Sequence, residues 1–203
     1  ELTEADRAEE RIRAAVAHGQ RQGVILEGEK SMIESVLDFH EAEVTEVMTP
    51  RTEMVAIEAS SLIEDVSLRV VGCGHSRIPV YRDTIDSIIG VLYAKDLLQY
   101  VTDEKRSKLP VEQVVRKAHF VPEAKKIPEL LKEFRTERFH IAVVLDEYGG
   151  TTGLVTIEDI LEEIVGEIED EYDKGAKALI RRVDPQTFDI DGRAHVDDVS
   201  EAI

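Results

Sequence analysis

The sequence has little cysteine, no tryptophan and no long apolar run. Cys73 is its only cysteine, so it can form no internal disulfide and holds no CxxC metal or redox motif. A reducing, cytoplasmic setting is therefore expected. No apolar stretch reaches the roughly 18 residues of a membrane-spanning helix. We expect no signal peptide, because the chain opens with a charged helical pattern. Because that pattern also lacks an initiator methionine, we expect a piece of a longer protein.

Basic side chains are scarce as well. The 203 residues include 25 Lys and Arg against 43 Asp and Glu, a formal net charge of −18 at pH 7. Nucleic acids and anionic membranes attract clustered basic residues, so neither is expected as a partner. The sequence has no P-loop, no GxGxxG and no recognisable Ser/His/Asp order. Cys73, near His75, is expected to be a buried cysteine at a helix-to-strand turn rather than a nucleophile. No enzyme activity is predicted.

The most informative feature present is an internal repeat. The stretch SRIPVYRDTIDSIIGVLYAKDLLQYV, from residue 76, aligns without a gap on FHIAVVLDEYGGTTGLVTIEDILEEIV, from residue 139. Gly90 falls on Gly153 and Asp96 on Asp159, 63 residues apart, whereas VTEVM at residue 44 falls on VEQVV at residue 111, 67 residues apart.

Each repeat predicts the order β-α-β-β-α. The predicted strands, helices and turns are strand 54–57, helix 63–70, strand 78–81, turn 82–87, strand 89–93 and a closing helix, then strand 118–121, helix 127–134, strand 141–145, turn 146–152, strand 154–156 and a closing helix. One unit buries little apolar surface alone, so we expect an α+β fold in which the two pack sheet to sheet in one pseudo-symmetric core. Pro79 indicates a strand edge or a bulge.

Helical and acidic segments flank the repeats. Residues 1–20 and 29–39 predict two amphipathic helices. Residues 158–173 carry nine carboxylates and no basic side chain, which predicts a long acidic helix. Its carboxylates are either a solvated face or a weak Mg²⁺ sensor, and no metal-ligand spacing is present. Residues 178–203 predict two strands, each followed by a turn, and the start of a helix.

The repeats resemble a pair of CBS domains, known as a Bateman module, and GLVTIED matches the adenosine motif of that family. With VMTPR, SRIPVY and DEYGGTTGLVTIEDILEEIVGEI, the chain is similar to the cytosolic region of the CorB/CorC/cyclin-M (CNNM) magnesium transporter family. The resemblance implies a membrane domain before residue 1 and a C-terminal domain that is only begun here. It divides the chain into a helical segment (1–43), CBS unit 1 (44–108), CBS unit 2 with the acidic helix (109–173) and the start of a further domain (174–203).

Thr156 and Asp159 at a strand-to-helix joint allow two interpretations. They match a capping box, in which each side chain bonds a backbone N–H of the other residue. Alternatively, the two oxygens of the Asp159 carboxylate could accept hydrogen bonds from both hydroxyls of a ribose. Thr156 would then reach the nucleoside, or a phosphate at the helix N-terminus. The resemblance favours a ligand contact.

The first repeat keeps the carboxylate as Asp96 but has Tyr93 in place of Thr156. A tyrosine would fill the equivalent cleft, so we expect one nucleotide site per chain. In CBS pairs, such a site combines the Thr and Asp of one unit with the early strand of the other. The residues that the resemblance implies are Thr49, Arg51, Val55, the backbone of Ser76, Arg77, Ile78, Pro79 and Val80, and the side chains of Thr156 and Asp159.

Arg77 and Arg51 are the candidate phosphate clamps, because a guanidinium fork fits phosphate oxygens; a solvated arginine is the alternative for Arg77. His140 stands in place of Arg77 in the second repeat and is expected to be structural. An acidic protein repels a bare polyphosphate, so the expected ligand is ATP with Mg²⁺. No metal-ligating residue of the protein is predicted.

Three functions are compatible with these features. The resemblance implies a regulatory module at the cytoplasmic face of the cell membrane, which binds Mg-ATP between its CBS units and couples it to the conformation of a homodimer and to the transmembrane domain. One alternative is a CBS scaffold that dimerises and binds no nucleotide. The other is an AMP-type adenosine-nucleotide sensor that belongs to another protein, such as a soluble enzyme.

Overall fold

The computed structural model describes residues 4–101, 103, 105–166, 180–184 and 187–190. The chain divides after Gly166 into two units. In the second unit, β8 (Ile180–Asp184) pairs antiparallel with β9 (Thr187–Ile190), as the two strands predicted there require. None of the described helices is long and apolar enough to cross a membrane.

Two helices open the first unit, α1 (Glu4–Arg21) and α2 (Glu27–Asp38). They confirm the predicted helices, although the second begins two residues earlier than expected. The two helices are joined by Arg13, which donates hydrogen bonds to Glu9 on α1 and to Asp38 on α2. Both bonds raise the pKa of the Arg13 guanidinium, and the bond to Glu9 has the larger effect.

Two sheets follow, each with two helices of eight or more residues, and they confirm the repeated β-α-β-β-α order. The first sheet has the order β2-β3-β4 and the second the order β1-β7-β6-β5. The elements are α3 (Val44–Val47), β1 (Thr49–Pro50), β2 (Ile57–Glu58), α4 (Ile63–Cys73), β3 (Arg77–Arg82), β4 (Thr84–Tyr93), α5 (Ala94–Val101), β5 (Phe120–Pro122), α6 (Ile127–Glu137), β6 (Ile141–Leu145), β7 (Thr151–Thr156) and α7 (Ile157–Val165). Single 3₁₀ turns lie at Arg51–Glu53 and Val111–Gln113.

The leading segment of each repeat crosses to the sheet of the other repeat. Thr49 on β1 lies opposite Leu154 on β7, and Arg116 forms a bridge with Val91 on β4. Thr49 and Arg116 are 67 residues apart, so they occupy equivalent places in the two repeats. The crossing explains why Val44 packs in the core of the second repeat, whereas the core of the first repeat includes Val111 and Val114.

Glycine is required where each leading segment crosses. A Cβ on Gly153 would lie 2.5 Å from the Thr49 carbonyl oxygen, and one on Gly90 would lie 2.6 Å from the Arg116 carbonyl oxygen. Real Cβ atoms do not approach backbone oxygen that closely, so these equivalent glycines allow two backbones to lie in contact.

A buried apolar cluster joins the two sheets. It consists of Ile88 and Val91 from β4, Ala118, and Ile141 and Val143 from β6. This cluster confirms the predicted sheet-to-sheet packing, in which each small unit covers apolar surface that it could not bury alone.

Several element boundaries differ from the predicted ones. The predicted turn 82–87 is wrong, because β3 runs to Arg82 and β4 starts at Thr84, with only Asp83 between them. Asp83 has a φ of 61°, a conformation that aspartate tolerates better than most residues. The predicted first strand, 54–57, is reduced to Ile57–Glu58 because the chain makes a 3₁₀ turn first.

Other corrections concern the ends of helices. The predicted acidic helix is found as α7 as far as Val165, where Gly166, with a φ of 76°, ends it. Residues 167–173 of that prediction lie outside the described part of the chain. Cys73 does end a helix before a strand, but it is half-buried rather than buried. The predicted helix start after residue 192 also lies outside the described residues.

Pro79 lies in the middle strand of its sheet, so the predicted edge position is wrong. It nevertheless breaks no ladder hydrogen bond with β4, because Val91 opposite it exchanges its backbone bonds with Arg116 instead. A bulge does occur nearby, where the register shifts between Val80 and Tyr81. The physical constraint behind the prediction therefore holds, although the strand is not an edge.

Candidate functional site

Thr156 and Asp159 form a complete capping box at the start of α7. The Asp159 backbone N–H donates to the Thr156 hydroxyl oxygen at 3.2 Å, and the Thr156 N–H donates to Asp159 Oδ2 at 2.7 Å. Both residues are half-buried. The second carboxylate oxygen, Oδ1, has no hydrogen-bond partner among the described residues. Helix capping therefore uses one oxygen of Asp159 and leaves the other available to a ligand.

Arg77 reaches this helix from the other repeat. It starts β3, and its Nη1 donates to Glu158 Oε1 at 3.2 Å, next to Asp159 on the first turn of α7. The Arg77 side chain is only 23% exposed. Its Nε is buried and has no partner within the described part of the chain. A buried N–H without a partner costs about 1–3 kcal/mol, so an acceptor that reached this Nε would remove that cost.

We call this arrangement the second-unit site. It consists of Thr49, Arg77, Thr156, Glu158 and Asp159. Thr49 belongs to it because β1 lies against β7, which ends at Thr156. Sequence reasoning missed Glu158, although its place between Ile157 and Asp159 in the TIED motif could have indicated it.

Arg51 is held away from Thr156, at the other end of β7. Its guanidinium pairs with both carboxylate oxygens of Asp86, with 2.8 Å between Nη2 and Oδ2, and its Nη1 donates to the Thr151 carbonyl at 3.0 Å. Thr151 N–H donates in turn to Asp86 at 3.1 Å. Thr151 and Thr156 are five positions apart along β7, or about 16 Å. The structure does not bring Arg51 to the capping box, and its role as a phosphate clamp stays a prediction.

Hydrogen bonding shifts the pKa values of this pair in opposite directions. The bond to Asp86 raises the pKa of Arg51, and the bond from Arg51 lowers the pKa of the Asp86 carboxyl below its ordinary value. Sequence reasoning missed Asp86 because it placed the residue in the predicted turn 82–87, whereas it lies on β4.

The remaining predicted residues divide into exposed and buried ones. Val55 is 41% exposed, and Ser76 is exposed just before β3. Ile78 and Val80 are 1% and 0% exposed and Pro79 is buried, so their side chains are not available to a ligand. Contact with a ligand through the backbone of residues 76–80 stays a prediction.

The equivalent place in the first repeat is occupied by the chain's own residues. Arg116 donates from Nε and Nη2 to the two carboxylate oxygens of Asp96, at 2.7 and 2.8 Å. Its guanidinium also lies 4.5 Å from the centre of the Tyr93 ring. The bond to Asp96 raises the pKa of Arg116. We call Tyr93, Asp96 and Arg116 the first-unit site; Tyr93 was expected to fill it, and Arg116 was not foreseen.

Acidic residues line another concave surface, where α1 and α2 meet α7. It includes Glu9, Asp38, Glu46 and Glu163. Such a surface repels phosphate. Among the described residues, no group of three or more His, Cys, Asp or Glu side chains is arranged to hold a metal ion.

Comparisons with known proteins agree with the repeated fold. A family model for the CBS domain matches residues 44–103 and 111–166. The magnesium and cobalt efflux protein CorC of Escherichia coli is 38% identical over 189 residues, which cover 93% of this chain and 64% of the relative. The chain spans 44 to 64% of the lengths of the curated relatives that it matches.

Solved structures extend the comparison. The CBS domain of a bacterial CNNM/CorC family Mg²⁺ transporter superposes with a TM-score of 0.73 at 44% identity, and the match covers 84% of this chain and 100% of that one. The structure of such a CBS domain in complex with ATP has a TM-score of 0.66 at 49% identity, and it covers 69% of this chain and 99% of the other.

Proposed function

Because this chain belongs to the CBS-domain family, as a CBS pair of the CNNM/CorC magnesium transporters, we propose that it binds Mg-ATP at the second-unit site. The observation that carries the proposal is the meeting of Arg77, from the first repeat, with the capped helix start of the second repeat. A cation, a helix N-terminus and an open carboxylate oxygen lie side by side there, and these are the groups that a nucleotide's phosphates and ribose require.

The carboxylate that faces Arg77 supports a need for Mg²⁺. A phosphate that approaches Arg77 also approaches Glu158, and the chain carries a net charge of −18. Coulomb repulsion therefore opposes a bare triphosphate. Mg²⁺ bound to the phosphates reduces their charge and tolerates a carboxylate or water as its remaining ligand. Binding of ATP is expected to be tighter with Mg²⁺ than without it.

Dimerisation is the second part of the proposal. The face formed by α4 and α5 exposes Leu68, Val71 and Leu98, by 77%, 85% and 73%. Counted from the first residue of each helix, α6 has Lys132 and Arg135 where α4 has Leu68 and Val71. The first repeat thus presents the more apolar face, and such a surface is expected to be covered by a second copy in a two-fold arrangement.

We further propose that the nucleotide regulates a larger protein. A ligand shifts a conformational equilibrium only by binding one state better than the other. The helices α1 and α2 precede the CBS pair, so they are the proposed route to a transmembrane domain that transports magnesium. The module would lie at the cytoplasmic face of the membrane and would itself catalyse no reaction.

A scaffold that binds no nucleotide is the second candidate, because the capping box is satisfied without any ligand. Calorimetric titration with ATP, ADP and AMP, each with and without Mg²⁺, separates the candidates. Saturable binding of ATP that strengthens with Mg²⁺ supports the regulatory module. Tighter binding of AMP than of ATP would favour an AMP-type sensor instead. The absence of binding heat with every nucleotide would favour the scaffold that binds none.

A further inference from the structure

Arg116 occupies the first-unit site in the way that a ligand would. Its guanidinium engages both oxygens of Asp96, at 2.7 and 2.8 Å, and covers the Tyr93 ring at 4.5 Å. The Asp96 side chain is consequently only 19% exposed. At the second-unit site, the equivalent carboxylate of Asp159 keeps one oxygen without a protein partner within the described residues.

The backbone of Arg116 fixes this position. Its N–H and carbonyl exchange hydrogen bonds of 2.9 and 2.8 Å with Val91, and its carbonyl passes over Gly90. Thr49 runs along β7 and passes over Gly153 in the same way. The two sites therefore share the same backbone arrangement. They differ in the side chain at this position, which is threonine at residue 49 and arginine at residue 116.

We propose that Arg116 is the residue that excludes adenine nucleotides from the first-unit site, with Tyr93 as the surface against which it packs. The nature of the excluded ligand rests on the proposed function. A ribose would have to displace a bidentate, charge-assisted ion pair to reach Asp96, whereas Asp159 requires no such exchange. Exclusion by Arg116 limits the chain to one nucleotide.

Cations around the first-unit site show that charge alone does not exclude phosphate there. Lys95 and Arg77 each lie 5.9 Å from the centre of the Tyr93 ring. Lys95 stands where the second repeat has Glu158. Opening the site would therefore leave a free carboxylate for ribose beside positive charge for phosphate, which is the same combination of groups as at the second-unit site.

The test exchanges the side chains of the two repeats. Arg116→Thr combined with Tyr93→Thr gives the first-unit site the residues that Thr49 and Thr156 supply to the second. Calorimetric titration with ATP and Mg²⁺ is expected to give about one site in the unaltered chain and about two in the double variant. Arg82→Thr is the matched control, because it removes another exposed arginine–carboxylate pair, with Glu112 at 2.9 Å, and should leave one site.

The outcomes separate this inference from the proposed function. One site in the unaltered chain and still one in the folded double variant would overturn the role of Arg116 and leave the proposed function intact. No site in the unaltered chain would refute the proposed function, whereas a gain of one site in the double variant would still support the exclusion by Arg116.

A measurement on the unaltered chain covers the case in which the double variant does not fold. Photolabelling with 8-azido-ATP and Mg²⁺, followed by peptide mass spectrometry, should mark peptides around Thr156 and leave those around Tyr93 and Asp96 unmarked. Saturable labelling at Tyr93 or Asp96 would overturn the inference.

Discussion

Arg77 and Glu158 are 81 residues apart in the sequence, yet their side chains meet at 3.2 Å. The contact joins the first strand of one repeat's hairpin to the first turn of the other repeat's closing helix. It places a guanidinium beside the capping box of Thr156 and Asp159, and the proposed nucleotide site depends on that placement. The predictions below test the parts of this arrangement separately.

Loss of the cap should weaken the fold. Thr156→Ala removes the hydroxyl that accepts the Asp159 N–H, and such a loss costs about 1 kcal/mol. Urea unfolding followed by circular dichroism should show this decrease in the free energy of unfolding. Thr136→Ala is the control: its hydroxyl bonds a carbonyl near the exposed end of α6, so a change within about 0.5 kcal/mol is expected. Equal losses in the two variants would contradict the capping role.

Acid should remove the contribution of the Arg51–Asp86 pair. The folded-state pKa of Asp86 is lowered by its bond from Arg51, so the pair stabilises the fold above the unfolded-state pKa of Asp86. That contribution is lost as the pH falls through the lowered folded-state pKa. Asp86→Asn should therefore lower the urea midpoint at pH 7. At a pH below the folded-state pKa of Asp86, the variant and the unaltered chain should have the same midpoint.

The control for this pH profile is Asp65→Asn, which changes a carboxylate in the exposed first turn of α4. It should shift the urea midpoint little at any pH. A midpoint difference for Asp86→Asn that is the same at pH 7 and at acid pH would show that the ionised pair does not contribute.

The crossing of β1 over β7 should not tolerate a methyl group. Gly153→Ala places a Cβ 2.5 Å from the Thr49 carbonyl, so β1 must move, and we expect both lower stability and weaker ATP binding. Gly72→Ala is the control, since a Cβ there meets nothing within 4 Å and alanine favours the helix by about 1 kcal/mol. Unchanged ATP affinity in Gly153→Ala would show that the position of Thr49 is unimportant.

The apolar face of α4 should hold a dimer together. Val71→Asp puts a charge on a residue that is 85% exposed, so it should cost the folded chain little but oppose burial against a second copy. Sedimentation velocity should show a dimer for the unaltered chain and a monomer for the variant. Arg135→Asp, at the equivalent position of α6, should leave the dimer largely intact. A monomer in the unaltered chain would contradict the proposal.

The repeat allowed much of the fold to be predicted. Strand β6 was found with its full extent, 141–145, because an apolar run bounded by turn residues is a strong signal. The hairpin of the first repeat was misjudged, because Arg82 to Ser87 contains polar residues that look like a loop, although the chain pairs through them with a single-residue turn at Asp83. In the sequence alone, the polar residues of a solvent-exposed hairpin look the same as those of a turn.

The site was predictable only in part, for a different reason. Thr156, Asp159 and Arg77 carry recognisable motifs, and the structure brings them together. The partners of Arg51 and Arg77 were missed. Asp86 and Glu158 meet these arginines only because the two repeats cross in the fold, and no local spacing in the sequence indicates the contacts. Arg116 aligned with Thr49 in the repeat, but the sequence alone did not indicate that its side chain would turn onto Asp96.

Calorimetric titration of Mg-ATP into the unaltered chain and into Arg77→Gln tests the central claim most directly. We predict about one site per chain, and an affinity in Arg77→Gln that is lower by about 10- to 100-fold, the loss expected for a charged hydrogen bond to phosphate. Arg82→Gln, which alters an exposed arginine at the other end of β3, should bind like the unaltered chain. Equal binding by all three proteins, or none by the unaltered chain, would contradict the account.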